Sequence, residues 1–256
     1  MPVSPEDPIT GLVDALGLGR APGLVAVVGG GGKSSLLFAL AECLPGRVVL
    51  TTTTRIFAAQ MSRAAAVCTT ADEGWQGELE SFDGNLLVVG KVEGERANGV
   101  PPDLPAEWLA RPRVDWVVVE ADGSRMLPVK APADHEPVVP ERTSLFVCVV
   151  GIDALADSIE RVAHRAERVA DITGLDPSQH LTPEAIGKLL TSPRGGLKGV
   201  PDGARVVVLI NKVESSAQRD AAHRIADRVL REVRVERVAI GALHGDLRAG
   251  WEVRSR

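Results

Sequence analysis

The stretch VAVVGGGGKSSLLFAL, residues 25–40, carries an apolar run into Gly29, Gly30, Gly31 and Gly32, then into Lys33, Ser34 and Ser35 at the start of a helix-forming segment. Glycines let the backbone turn successive N–H groups around an anion. The helix behind them presents its positive end, and the lysine adds a mobile full charge for terminal phosphates. A hydroxyl directly after that lysine is placed to ligate Mg²⁺. The chemistry this implies is nucleotide binding. The spacing is Gly29-x-x-Gly32-Lys33-Ser34, two residues shorter than the usual G-x-x-x-x-G-K-[ST], with Val27 where the longer form has its first glycine.

Phosphate chemistry with a metal needs a carboxylate where a buried strand ends, because charge costs less at that exit than within the strand. The run DWVVVEADGSR supplies Glu120 and Asp122 there. Lys33, Glu120 and Asp122 are therefore the expected catalytic residues, with Ser34, Glu120 and Asp122 around Mg²⁺ and ATP or GTP as substrate. In VVLTTTTRIF, Thr51 to Thr54 follow a second apolar run. One or two of these hydroxyls, Thr52 and Thr53 by preference, are expected to ligate the metal or hold the attacking group. In VVVLINKVE, Asn211, Lys212 and Glu214 resemble the guanine-reading N-K-x-D pattern with Glu in place of Asp. The extra methylene displaces the carboxylate by roughly 1.5 Å, which leaves ATP and GTP both open.

The segment after Asp122 crowds Ser124, Arg125, Lys130, Asp134, His135 and Glu136 among Pro128, Pro132, Pro137 and Pro140. The prolines lower the entropy lost when such a loop is ordered around a ligand. Arg125 and Lys130 are expected to hold an anionic second substrate, with Glu136 beside them and His135 as a general base, a metal ligand or a loop-pinning hydrogen bonder. Asp134, His135 and Glu136 are adjacent and point to opposite faces in an extended chain, so they do not make a metal site by themselves. His164, His180, His223 and His244 are too dispersed to join them on sequence grounds.

These residues need a scaffold, and apolar runs rich in Val and Leu provide it: LVAVVG (24–29), RVVLTT (47–52), NLLVVG (85–90), DWVVVEA (115–121), SLFVCVVG (144–151), ARVVVLIN (204–211) and VERVAIGAL (235–243). Such continuous runs fit strands buried on both faces of a parallel sheet. Helix-period segments separate several of them: KSSLLFALAECL, LTPEAIGKLLTS and SSAQRDAAHRIADRVLREV. The expectation is a three-layer α/β fold with a mostly parallel central sheet. Residues 1–256 form a single domain in this reading, with a proline-rich region, 122–142, at the active face. NGVPPDLPAEW and LPVKAPADHEPVVPER are expected to be surface loops.

The net charge of −5, from 29 Lys and Arg interspersed with 34 Asp and Glu, argues against nucleic acid and against an anionic membrane as partner. The N-terminus MPVSPEDPITGLVDALGLG has acids and prolines where a signal peptide needs a basic start and an apolar core. A cytoplasmic protein is expected. Cys43, Cys68 and Cys148 lie in apolar contexts without C-x-x-C spacing and read as reduced core thiols, Cys68 less firmly than the others.

The blocks VVGGGGKSSLLFAL, VVLTTTTRIF, VVVEADGSRMLPVKAPADHEPVVP, LTPEAIGKLL and GGLKGVPDGARVVVLINKVE together resemble the YqeC family. Glu-Ala-Asp-Gly-Ser, Lys130-Ala-Pro and His135-Glu136-Pro are the most specific of these. The resemblance implies a P-loop NTPase acting in selenium cofactor biosynthesis or in maturation of selenium-dependent molybdenum hydroxylases, with a selenium species or a hydroxylase as partner. Two departures stand out: Ser34-Ser35 where the family usually has Thr-Thr, and Glu214 where Asp is usual. The short glycine loop also resembles that of Mur-type ligases, which keeps a small-molecule kinase or an ATP-dependent ligase as an alternative. A non-catalytic nucleotide switch is another. Homodimerisation across the nucleotide face is compatible with this layout.

Overall fold

All seven apolar runs form strands, and two segments with weaker patterning join them. The structure, a computed structural model, describes residues 10–19 and 21–256; the first nine residues of the N-terminal stretch read above lie outside the described residues. Among these, the central sheet contains β1 (Gly23–Gly29), β2 (Val48–Thr52), β3 (Ala66–Thr69), β4 (Asn85–Val89), β5 (Trp116–Glu120), β6 (Leu145–Gly151), β7 (Arg205–Asn211), β8 (Arg237–Ile240) and β9 (Glu252–Ser255). Their order is β9-β8-β7-β6-β1-β5-β2-β4-β3. Every pairing is parallel except β8 with β9. The fold is thus a three-layer α/β fold.

Alternation along the strands sorts the core into two faces. Val25 and Val27 of β1 pack with Val147, Leu209 and the helix α1 (Lys33–Cys43) through Leu36, Leu37 and Leu40. Val28 points the other way, toward Cys148, Val208 and the helices α2 (Pro183–Leu190) and α3 (Ser216–Val229). Burial on both faces explains why these strands lack polar alternation. Both outer helices start on side-chain caps: Thr182 accepts from the Ala185 amide, and Ser215 with Gln218 forms a capping box. No helix among the described residues is long and apolar enough to cross a membrane.

Both proline-rich passages differ from the surface loops expected. In NGVPPDLPAEW, Leu104–Leu109 is helical, because Pro105 sits in the first turn where its missing N–H costs nothing, and Trp108 is buried. Residues 128–133 are buried as a continuous stretch. Their backbone is satisfied in part by a two-residue parallel pairing of Val129–Lys130 with Ala163–His164. The threonine run divides as well: β2 includes Thr51 and Thr52, so only Thr53 and Thr54 lie past its end. Beyond them the chain enters a small antiparallel sheet, Arg55–Phe57 with Arg96–Asn98 and Val92–Glu93, which stands beside the carboxyl ends of the main strands. In parallel α/β sheets that edge is where ligands bind.

Candidate nucleotide site

The glycine loop leaves β1 in conformations that only glycine adopts freely: φ is 98° at Gly29, 77° at Gly31 and 136° at Gly32. Space demands glycine too, since a Cβ at Gly31 would stand 2.2 Å from the Gly151 nitrogen and one at Gly30 2.7 Å from the Leu127 oxygen. Three of its amides are committed within the protein. The Gly29 N–H donates to the Asp122 carboxylate at 3.2 Å, Gly30 to the Val149 carbonyl at 2.9 Å and Gly31 to the Leu127 carbonyl at 3.0 Å. The donors left for a ligand are therefore those of the first turn of α1, where Lys33, Ser34 and Ser35 have no intrahelical acceptor.

Lys33 is 3 % exposed and donates to the Gly29 carbonyl at 2.8 Å, with Glu120 at 3.7 Å and Asp122 at 3.5 Å. The Ser34 hydroxyl donates to Glu120 Oε2 at 2.7 Å. Burial pushes the Glu120 carboxyl above its ordinary range, against the opposing pull of Lys33 and Ser34. A serine hydroxyl beside one carboxylate, open to a cleft, fits Mg²⁺, which keeps several waters and takes one or two carboxylates plus substrate phosphates. Asp122 is placed differently. It is 2 % exposed and turned toward Gly29, Lys33 and Lys130, the last at 3.0 Å, so it anchors the loop from behind instead of facing the cleft.

The other candidates separate in the same way. Thr52 donates to the Glu120 carbonyl at 2.9 Å and is buried; Thr53 donates to the Val138 carbonyl at 2.7 Å and lines the cleft with Thr54. Asn211 is 2 % exposed, donates to the Gly31 carbonyl at 2.7 Å and accepts from the Leu243 amide at 3.0 Å, clamping the loop to the end of β8. Lys212 faces the cleft and pairs with Asp153 at 2.6 Å, whereas Glu214 lies outside it. Arg125, His135 and Glu136 line the cleft. Lys130 does not: its ammonium donates to the Gly123 carbonyl and to Glu136 Oε2, both at 2.7 Å, and its side chain is 1 % exposed. The cleft encloses about 940 Å³.

Two further residues join this site: Arg165, which sequence reading did not single out, and His164, which its spacing set aside. Arg165 grips Glu136 through two hydrogen bonds, at 2.7 and 3.0 Å. His164 Nδ1 lies 3.2 Å from the Gly123 carbonyl and 3.4 Å from Nη1 of Arg165. Burial, with the charges of Arg165 and Lys130, lowers the His164 pKa. The signal for both was hidden, because it depends on the Ala163–His164 strand pairing back onto Val129–Lys130. Across the cleft, Arg55, Phe57 and Arg96 of the small antiparallel sheet form a wall with Gln60 of the short helix Ala58–Met61, Arg96 standing 4.1 Å over the Phe57 ring.

The family model described as "YqeC protein" matches residues 25–167. The chain is also 35% identical over 210 residues to the "Uncharacterized protein YqeC" of Escherichia coli (strain K12), covering 80% of this chain and 82% of that protein. This chain belongs to the YqeC family. The matched YqeC segment spans the glycine loop, Glu120, the proline-rich stretch and Arg165, so every cleft-lining residue except Lys212 falls within it.

Glu136 gives this YqeC-family site a pH signature. Burial alone would raise its carboxyl, but hydrogen bonds from Lys130 and Arg165, with their charges, more than offset that and hold it at about 2. A depressed carboxyl contributes stability above its unfolded pKa and loses it as pH falls from about 4.5 through 2. The expected contribution near neutrality is roughly 2–3 kcal/mol. Urea unfolding of the parent and Glu136→Gln at pH 6 and pH 3 checks this: the gap between them should narrow markedly at the lower pH. A gap independent of pH would show that the ion pairs do not hold this carboxyl.

Proposed function

We propose that this chain binds Mg²⁺ with ATP or GTP and transfers or hydrolyses the terminal phosphoryl group, serving selenium cofactor biosynthesis or maturation of selenium-dependent molybdenum hydroxylases. The biological role follows the family resemblance; the chemistry follows the site. The observation that carries it is the Ser34–Glu120 hydrogen bond of 2.7 Å beneath the free amides of the first turn of α1, with Lys33 buried alongside. In this reading the amides of Lys33, Ser34 and Ser35 hold the phosphates, and Lys33 leaves the Gly29 carbonyl to meet the charge that develops on transfer. Ser34 and Glu120 would hold Mg²⁺, which supplies charge neutralisation at the phosphates when bound. Asp122, Asn211 and the loop's own glycines keep the cradle open before ligand arrives. Electrostatic preorganisation of this kind avoids reorganisation at the moment of reaction.

Binding of ATP and GTP with and without Mg²⁺, to the parent and to Lys33→Ala, tests the reading. Loss of a charge-assisted contact is expected to weaken nucleotide binding by about 10- to 100-fold. A Lys33→Ala variant that binds both nucleotides as tightly as the parent would remove the loop from phosphate binding.

A further inference from the structure

The backbone of the cleft is strained in a pattern the nucleotide alone does not use. Among the described residues, four non-glycine positions have positive φ: Arg125 (51°), Met126 (63°), Arg165 (63°) and Lys212 (65°). All four line this cleft, and three carry cations. Such conformations crowd the Cβ of any residue but glycine and persist where the surroundings impose them. The surroundings are identifiable for all three cations. Arg165 stands between the short strand Ala163–His164 and the helix Ala166–Thr173, its guanidinium locked on Glu136, and Lys212 is held by Asp153. Arg125 is set by the tight turn in which the Leu127 amide donates to the Ser124 carbonyl, and its side chain projects exposed.

Charge points the same way. Lys33, Arg55, Arg96, Arg125, Arg165 and Lys212 line the cleft against only Glu120 and Glu136, in a chain whose net charge is −5. Lys33 is answered by Glu120 and Asp122, Arg165 by Glu136 and Lys212 by Asp153. Arg55, Arg96 and Arg125 have no carboxylate at ion-pair distance among the described residues. A magnesium nucleoside triphosphate brings a net charge of roughly −2, so such a ligand leaves positive potential over in the cleft. A concave site with an unbalanced charge concentrates ions of the opposite sign.

Resting on the nucleotide reading above, we propose that Arg125, Arg165 and His135 form a second anion subsite that receives the oxyanion of a phosphoryl acceptor. Arg165 spends two donors on Glu136, with His164 Nδ1 a further 3.4 Å contact of its Nη1, and keeps other donors of its five for a ligand. Arg125 and His135 stand exposed on the same wall, contributed by the chain after Asp122. Guanidinium groups suit phosphate or carboxylate, which they bind through paired hydrogen bonds. In the transfer, an oxygen of the ionised acceptor forms a bond to the γ-phosphorus. The bond from that phosphorus to the β,γ-bridging oxygen breaks, and its electron pair leaves on the nucleoside diphosphate. An acceptor that arrives ionised has no proton to remove. Lys130 takes no direct part in this subsite; it holds Glu136, which holds Arg165.

The test titrates inorganic phosphate, and separately acetate, into the full chain saturated with Mg²⁺ and a non-hydrolysable ATP or GTP analogue. Saturable phosphate or acetate binding is expected, and the better-bound probe assigns the acceptor to phosphates or to carboxylates. Arg125→Ala, an exposed change, should weaken that binding about tenfold or more while nucleotide affinity stays within twofold. Arg125→Lys should recover part of it. If nucleotide binds but neither probe does, or if Arg125→Ala binds them as the parent does, the subsite is overturned. If nucleotide itself fails to bind, the reading of the glycine loop falls, and phosphate titrated without nucleotide then decides the subsite: loss in Arg125→Ala supports it, loss in Lys33→Ala alone overturns it.

Discussion

Lys130→Met is expected to lower the unfolding free energy by roughly 3 kcal/mol, which for a chain of this size is a fall in Tm of about 6–12 °C. The size of the effect comes from what the ammonium leaves behind. Glu120, Lys33, Asp122, Lys130, Glu136 and Arg165 form an alternating chain of opposite charges, each link within 3.7 Å. The chain is neutral as built. Removing Lys130 makes it a net anion beneath the cleft, where Asp122 and Glu136 have little solvent: they are 2 % and 9 % exposed. The cost sits at the lower end of the usual range for a broken buried pair because each orphan keeps at least one partner. Asp122 keeps Lys33 and the Gly29 amide, Glu136 keeps Arg165, and the Gly123 carbonyl keeps His164. Adding Glu136→Gln to Lys130→Met should therefore cost less than the sum of the two single changes, since the second removes a charge that the first has stranded. Urea unfolding of the four proteins measures the coupling. Additive losses, or a single-variant loss under about 1 kcal/mol, would mean that the chain of charges does not act as a unit.

This network also marks where sequence reading stops. Glu120 was accessible because a carboxylate at the end of WVVV has few structural explanations, and the loop because glycines before Lys-Ser have few as well. The parallel sheet followed from strands that are apolar on both faces. β3 and β9 escaped because each is only four residues long, Ala66–Thr69 and Glu252–Ser255, and their pairing is imposed by neighbouring strands. Lys130 read as a ligand-binding cation because a lysine among prolines is normally solvated. Only the packing of residues 121–136 against Ala163–Arg165 turns it inward. Arg165 lies 29 residues from its partner Glu136, across the whole of β6, and no local spacing rule connects them. Asn211 was assigned with Lys212 and Glu214 to the base, and the shared pattern hid the fact that its amide can serve the Gly31 carbonyl instead.

Glu120→Gln is expected to leave the fold as stable as the parent or more so, and to reduce Mg²⁺-dependent turnover by about 10²-fold or more. The first half follows from the direction of the Glu120 shift. Burial holds its carboxyl above the ordinary range, so the folded chain binds that proton more tightly than the unfolded chain does. Ionising it at neutral pH therefore costs folding free energy, and a neutral isostere removes the cost while its carbonyl still accepts from Ser34. Lys33 is not stranded by the change, because Asp122 stands 3.5 Å away and the Gly29 carbonyl at 2.8 Å. The second half follows from chemistry: an amide oxygen carries no charge to hold a hard cation, so the Mg²⁺-induced rise in nucleotide affinity should vanish even where nucleotide still binds. On the function proposed above, a stability cost at this carboxylate is one kept for the reaction. Thermal unfolding at pH 7 and nucleotide titration with and without Mg²⁺ separate the two halves. A variant that is both destabilised and unchanged in its response to Mg²⁺ would make Glu120 a structural partner of Ser34 and nothing more.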